Sequence, residues 1–402
     1  PSFIVSQRHR LEALVITHAH QDHLGAVADI WPLLRCPVYA TPFAAAMLEG
    51  PLAEAGLRDQ VPIKVIPEVG RFTLGPFRLR RVPLTHSTVE MGALLIETDA
   101  GTVFHTGDFK LDDEPIAGLP LDRDALRRLG RVDLCVSDST NADHEGWTPS
   151  ESTVVEPLRR IVAGSPARVF VSLFSSHVAR VQTLARLADE EGRDLVFVGR
   201  ALERAVGAAR RCGYLQRIPP IVPAREFGYI PARRVLVVCT GSQGEPGAGL
   251  SRIAAADHPE VYADPDDTVV FSARAIPGNE LPLERVVRLL QRQGARVITD
   301  ADADVHVSGH PRRDELRALY GWVQPRHVMP VHGTPTKLEA HAELAESMDL
   351  GAVRARNGQR VRLCDGQIEL LDRVRTGRLE RPAQGERPKP WDRQHEGRVR
   401  RR

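Results

Sequence analysis

Short apolar runs closed by polar residues recur along the chain, and most lead into a segment whose apolar positions return every three or four residues. Strand periodicity alternating with helix periodicity predicts an α/β architecture. "LEALVIT" (11–17) reads as a strand. "LLIETDA" (94–100) and "GTVFHTG" (101–107) read as a hairpin turning at Asp99-Ala100-Gly101, and "RVDLCVSDST" (131–140) as a strand with a polar end. From Glu151 the rhythm becomes regular. "ARVFVSLFSS", "RDLVFVG", "RRVLVVCTGSQGE" and "DTVVFSARAIPG" are each followed by a helical stretch, and "ARVITD" closes the series. This predicts a self-contained parallel βα domain of roughly 150 residues.

The 402 residues exceed one ordinary core and predict two or three domains. No run of apolar residues reaches membrane-spanning length, so no contact with a membrane is expected. No basic-then-apolar signal segment opens the sequence. Cys36, Cys135, Cys212, Cys239 and Cys364 are scattered, with no CxxC pair. A disulfide framework and a thiolate zinc site are therefore not expected, and a cytoplasmic location fits. The net charge is +2, but residues 373–402 carry eleven Arg or Lys against four Asp or Glu, which leaves the rest of the chain net acidic. The body is not a basic nucleic-acid clamp by bulk charge, so nucleic-acid contacts there must come from a local groove. The tail, ending "GRVRRR", reads as cationic and disordered.

The chemistry is concentrated in "LVITHAHQDHLGA" (14–26), where His18, His20, Asp22 and His23 crowd the end of an apolar run. Imidazoles repel when protonated, and neutral imidazole is the commonest protein metal ligand. Three further residues stand where a strand hands over to a loop: His86 in "VPLTHST", Asp108 in "FHTGDFK" and His332 in "VMPVHGT". Two divalent metals ~3.5–4 Å apart need about three protein ligands each, with bridges and open positions. His18, His20 and His86 suit one metal. Asp22, His23 and His332 suit the other, and the two oxygens of Asp108 suit a bridge. Nitrogen and oxygen ligation without thiolate favours zinc, with manganese as the alternative.

His18-Ala19-His20-Gln21-Asp22-His23 matches HxHxDH, and with the downstream His, Asp and His the sequence resembles the metallo-β-lactamase superfamily. The βα domain fills the interval between Asp108 and His332, an insertion similar to that of the nucleic-acid-acting β-CASP group. "SDSTNA" (137–142), "CTGSQGEPGAGLSRIA" (239–254), "FSARAIPGNE" (271–280), "VHVSGH" (305–310) and "PVHGT" (330–334) extend the resemblance to the bacterial ribonuclease J family. It implies a metallo-β-lactamase αββα sandwich with an inserted parallel βα β-CASP domain. The expected division is 1–150 and 303–372 for the sandwich, 151–302 for the insertion and 373–402 for the basic tail. The family's first strands have no counterpart before His18, so the sheet carrying the ligands is expected to expose an unpaired edge. The family's C-terminal domain often supports dimerisation, which makes a homodimer an expectation.

The resemblance also implies residue roles. His310 matches the motif B histidine and would position the scissile phosphate and protonate the leaving oxygen. Asp138 matches motif A and would hold the outer N–H of a histidine. His332 matches motif C, where DNA-acting relatives resemble one another in carrying valine, so histidine favours RNA. His306, Ser308 and His310 alternate and would share one face of a strand. Arg274, in "FSARAIPGNE", is the candidate phosphate contact, while the glycine-rich "TGSQGE" (240–245) is only a weak anion-binding signal. His177 departs from the asparagine of the family's Ser-x-Asn, where a 5′-phosphate would be held. His9, His105, His144, His258, His327, His341 and His395 read as structural or surface residues. The expected function is a two-metal ribonuclease hydrolysing RNA phosphodiesters, with 5′→3′ exonuclease and also endonuclease action on 5′-monophosphorylated RNA. The alternatives are a metal-dependent hydrolase of a small ester or thioester, or a non-catalytic RNA-binding fragment.

Overall fold

The computed structural model describes residues 2–377 and, beyond them, the backbone of 379–380 and 389–390. Most of the expected basic tail therefore lies outside the described residues. Two sheets face each other. The first is parallel and three-stranded, in the order Leu14–Val15, Val38–Ala40, Ile63–Val65. The second has seven strands, in the order Gly351–Ala352, His327–Val331, Leu134–Asp138, Gly101–His105, Gly92–Thr98, Phe77–Pro83, Gly70–Leu74. Its first four strands run parallel, and its remaining pairings are antiparallel. The predicted hairpin is present, with Thr98 paired to Gly101. Gly101 has φ +145°, a backbone conformation that L side chains rarely adopt.

The strand expected over 11–17 is shorter than predicted. Ile16 still donates to the Tyr39 carbonyl, but the chain then leaves the sheet for the turn that carries His18. Leu14–Val15 is an edge strand, paired only with Val38–Ala40 among the described residues. Val15 and Tyr39 pack across the sandwich on Leu79 and Leu94. Helices Val27–Leu34 and Pro42–Glu54 accompany the small sheet. Arg313–Val323 and Pro335–Glu346 cover the outer face of the large one through Leu316, Leu319 and Leu344 against Leu95, Phe104 and Val328.

The regular units from Val169 onward form a six-stranded, all-parallel sheet. Its order is Ile221–Val222, Asp194–Val198, Val235–Cys239, Val169–Ser172, Thr268–Phe271, Arg296–Ile298. Val169–Ser172, Val235–Cys239 and Thr268–Phe271 are buried throughout, as strands covered by helices on both faces must be. Ile221–Val222, two residues long, was not predicted; it is too short to show a periodicity. Helix Pro42–Glu54 packs against helix Arg200–Arg211, and one continuous apolar cluster runs from Val38, Phe43 and Leu48 to Leu202, Leu195 and Val171. Polar groups pin the same junction. Arg180 is fully buried, bonds Glu151 through two nitrogens, and reaches Ser272 and the Val305 carbonyl. It thus ties the chain entering the inserted domain to the chain leaving it. "VHVSGH" is not a strand. Val305, Val307 and Gly309 are nonetheless buried, while His306, Ser308 and His310 are partly exposed, so the expected alternation holds without a sheet partner.

Candidate active site

The short helix Gln21–Leu24 starts immediately after His20 and carries Asp22 and His23. His86 follows Phe77–Pro83 by three residues, Asp108 follows Gly101–His105 by three, and His332 is the residue after His327–Val331. Strand ends from both sheets therefore deliver the candidate ligands to one place. His332 sits at φ +56°, a left-handed conformation that a side chain adopts at a cost and that turns the chain sharply at the strand end.

One group comprises His18, His20 and His86, whose ligand atoms lie within 4.8 Å of one another. His86 Nδ1 donates to the Gly309 carbonyl at 2.6 Å, so its Nε2 carries the lone pair. That Nε2 stands 2.9 Å from His20 Nδ1, which also lies 3.2 Å from His18 Nε2. A single proton on His20 Nδ1 cannot serve both neighbours, whereas a cation among the three nitrogens satisfies all of them. Burial lowers His20 to about 3 and, with the neighbouring imidazoles, pushes His18 and His86 well below their ordinary value. All three are thus neutral, the form that binds metal.

The second group is Asp22, His23, Asp108 and His332. Asp108 Oδ2 is 3.1 Å from His23 Nε2, 3.6 Å from His332 Nε2 and 4.0 Å from His18 Nε2, so one carboxylate oxygen reaches both groups. The Asp108 side chain is 5% exposed and that of Asp22 62% exposed, which closes the site at the back and opens it at the front. His332, 3.6 Å from Asp22, holds that carboxyl down to about 2. This nitrogen and oxygen donor set fits two divalent metals.

Behind the ligands, Asp138 Oδ2 accepts from His310 Nδ1 at 2.7 Å, and Asp138 Oδ1 lies 3.4 Å from His332 Nδ1. Oδ1 also accepts from the Thr140 backbone N–H at 2.8 Å. Burial by itself would raise the Asp138 carboxyl. His310 and His332 outweigh it and hold the group far below its ordinary value. The His310 ring is 5.0 Å from that of His86 and 5.6 Å from that of His332, so it flanks both groups.

A model of the beta-lactamase superfamily domain matches residues 2–173, one of the ribonuclease J beta-CASP domain matches 166–290, and one of the Zn-dependent metallo-hydrolase RNA specificity domain matches 301–356. Ribonuclease J of Sinorhizobium meliloti is 44% identical over 381 residues, spanning 94% of this chain and 68% of that protein. The chain belongs to the ribonuclease J family. It is an RNA-processing, metal-dependent ribonuclease, and this decides against hydrolysis of a small ester or thioester. Ribonuclease J of Mycolicibacterium smegmatis is 40% identical over 376 residues, spanning 92% of this chain and 67% of that protein. A crystal structure of a protein of unknown function from Enterococcus faecalis V583 superposes with a TM-score of 0.60 over 89% of this chain and 81% of that one. Its 16% identity bears on the fold alone.

This member of the ribonuclease J family leaves some predicted residues away from the ligand cluster. Arg274 is 59% exposed, with Nε 3.5 Å from Asp300. Its loop is knitted to "TGSQGE" by Gln243, whose Nε2 donates to the Arg274 carbonyl and whose Oε1 accepts from the Ile276 N–H. His177 is the cap of helix Val178–Glu190, and its Nε2 lies 3.6 Å from Glu151, inside the Arg180 junction. Burial lowers its pKa. Ser308 accepts from Asn141 at 2.9 Å. His306 is lowered to about 3 by burial, and its Nδ1 has no hydrogen-bond partner among the described residues. Sequence reasoning missed Glu315, a buried carboxylate accepting from the backbone N–H groups of Leu111, Thr148 and Arg312 at 2.7–2.8 Å. It braces the loops that follow Asp108 and Asp138. Arginine, not Ser, Thr, Asp or Asn, stands three residues before Glu315, so the sequence carries no capping-box signature there. Among the described residues no helix is long and apolar enough to cross a membrane.

Proposed function

We propose that the protein is a two-zinc ribonuclease that degrades 5′-monophosphorylated RNA in the 5′→3′ direction and also cleaves internally, acting in the cytoplasm as a homodimer. In this reading His18, His20 and His86 hold one zinc, Asp22, His23 and His332 the other, and Asp108 spans both; manganese is the alternative metal. Bound there, the metals would activate water and neutralise the phosphate. The chain's own groups do the rest. Asp138 fixes the His310 ring with its Nδ1–H inward, so His310 Nε2 faces the cleft and supplies the proton to the leaving oxygen. His306 and Ser308, on the exposed side of the same extended segment, hold the phosphate on the 5′ side. Arg274, across the cleft on residues 151–302, which we take as the inserted domain, meets the backbone of the incoming strand. The flanking stretches 1–150 and 303–372 form the metal-holding domain.

One observation carries this reading: seven donor residues from separate strand ends converge beside the His310–Asp138 pair. The test is a time course on 5′-labelled monophosphorylated RNA with zinc or manganese, compared with 5′-hydroxyl RNA and a generic ester. Early release of labelled mononucleotide from the monophosphorylated RNA is expected. Equal rates on both RNA ends, or only internal fragments, would remove the exonuclease part of the reading.

A further inference from the structure

His341 lies on helix Pro335–Glu346, nine residues beyond His332, and is fully buried beside Leu344 and Ala345. An imidazole in such a place must have both ring nitrogens satisfied. Its Nδ1 is 2.8 Å from Ser139 Oγ, and its Nε2 contacts the hydroxyl of Tyr320, itself fully buried on helix Arg313–Val323. Three buried polar side chains thus form one chain, Tyr320–His341–Ser139, with Ser137 beside the Tyr320 end. Burial lowers His341 to about 4, so the ring is neutral and has one donor and one acceptor nitrogen.

The chain ends where the chemistry begins. Ser139 stands between Asp138, which holds His310, and Thr140, whose backbone N–H binds Asp138 Oδ1. Ser139 also packs on the second catalytic turn. A Cβ placed on Gly333 would lie 3.1 Å from Ser139 Cβ, and Gly333 follows His332 at its left-handed position. One buried hydrogen bond therefore bears on both turns, which meet at Ser139 and again where Thr140 Oγ1 lies 2.9 Å from His332 Nδ1.

We propose that His341 is a positioning residue for the reaction: through Ser139 it fixes the Asp138–Thr140 turn against His332–Gly333, and so sets the aim of His310. This rests on the role given above to the Asp138–His310 pair. Tyr320 and the helix at His341 supply a rigid anchor, and a misaim of even 1 Å at the reacting group is costly in rate.

The experiment measures kcat and KM on monophosphorylated RNA, metal content and thermal midpoint for Ser139→Ala, His341→Leu, His341→Gln and Tyr320→Phe, with His310→Ala alongside. Ser139→Ala and His341→Leu should each lower kcat about 10- to 100-fold with KM and metal content unchanged. His341→Gln, which keeps a donor and an acceptor, should recover most of the loss. The double variant Ser139→Ala/His341→Leu should be no slower than the worse single one, because both break one linkage. If His341→Leu does not fold, Ser139→Ala and Tyr320→Phe carry the test, since each removes one oxygen. A lowered thermal midpoint with kcat intact in Ser139→Ala would overturn the proposal and leave His341 purely structural. If His310→Ala also leaves kcat intact, the Asp138–His310 reading itself fails, and the two failures are thereby distinguished.

Discussion

His310 gives its Nδ1 proton to Asp138 across 2.7 Å, and the two residues are 172 positions apart in the chain. A carboxylate can only accept, so the bond settles which ring nitrogen is free to meet substrate. Replacing His310 with alanine is expected to retain both metals and to lower turnover ~10²–10⁴-fold, the usual range for a lost acid–base group. Metal analysis beside the kinetics checks this. Loss of metal in that variant would make His310 a ligand instead.

Asp108→Ala should be the most damaging change at the ligand cluster. Its Oδ2 lies within 4.0 Å of His18, His23 and His332, so a single carboxylate oxygen reaches both groups. The variant should bind less than the full metal complement and retain almost no activity, and added zinc should not rescue it. Two retained ions with activity intact would refute the bridging role.

Arg274 tests the path of the RNA. Its guanidinium is exposed and only loosely engaged with Asp300, which leaves it available to a phosphate. Arg274→Ala should weaken RNA binding at low salt and reduce the slope of log K against log salt by about one, since each phosphate contact releases roughly one counterion. Metal content should not change. An unaltered slope would place the strand elsewhere.

The buried Glu151–Arg180 pair should contribute to acid stability. Burial would raise the Glu151 carboxyl, but Arg180 and His177 dominate and hold it well below 4.5. A carboxyl lowered in the folded state adds stability that is fully present above the unfolded value and fades as pH falls through the folded one. Denaturant midpoints should therefore decline as pH drops below about 4.5, and the decline should be shallower in Glu151→Gln. Arg180→Met, which strands Glu151 in the interior, should cost about 3–5 kcal/mol at neutral pH. A loss below ~1 kcal/mol would show that the pair is not the pin inferred here.

The convergence of the candidate ligands was legible because they carry a local sign: histidines and aspartates gathered within a few residues past the ends of apolar runs. The regular βα units were legible for the same reason. What could not be read depends on contacts between distant positions. Arg180 meets Glu151, Ser272 and Val305, and no periodicity in "HVARVQTLARLADEEG" sets it apart from Arg186, exposed on the same helix. His341 reads from the sequence only as one of several structural or surface histidines, because its partners, Ser139 and Tyr320, lie on other elements. "VHVSGH" was expected to be a strand from its alternation. Its burial alternates, but it has no neighbouring strand to bond, and periodicity alone cannot tell these apart.

The apolar cluster shared by helix Pro42–Glu54 and the inserted sheet has a consequence for how the molecule comes apart. Val38, Phe43 and Leu48 belong to the metal-holding side, and Leu202, Leu195 and Val171 to the insertion, yet they form one interior. Melting either part would strip the other of packing it cannot replace, and would leave Glu151 or Arg180 without its partner. The two lobes should therefore lose their packing together. Heat should produce a single calorimetric transition, and a protease should cut loops at the rim before it can separate the lobes.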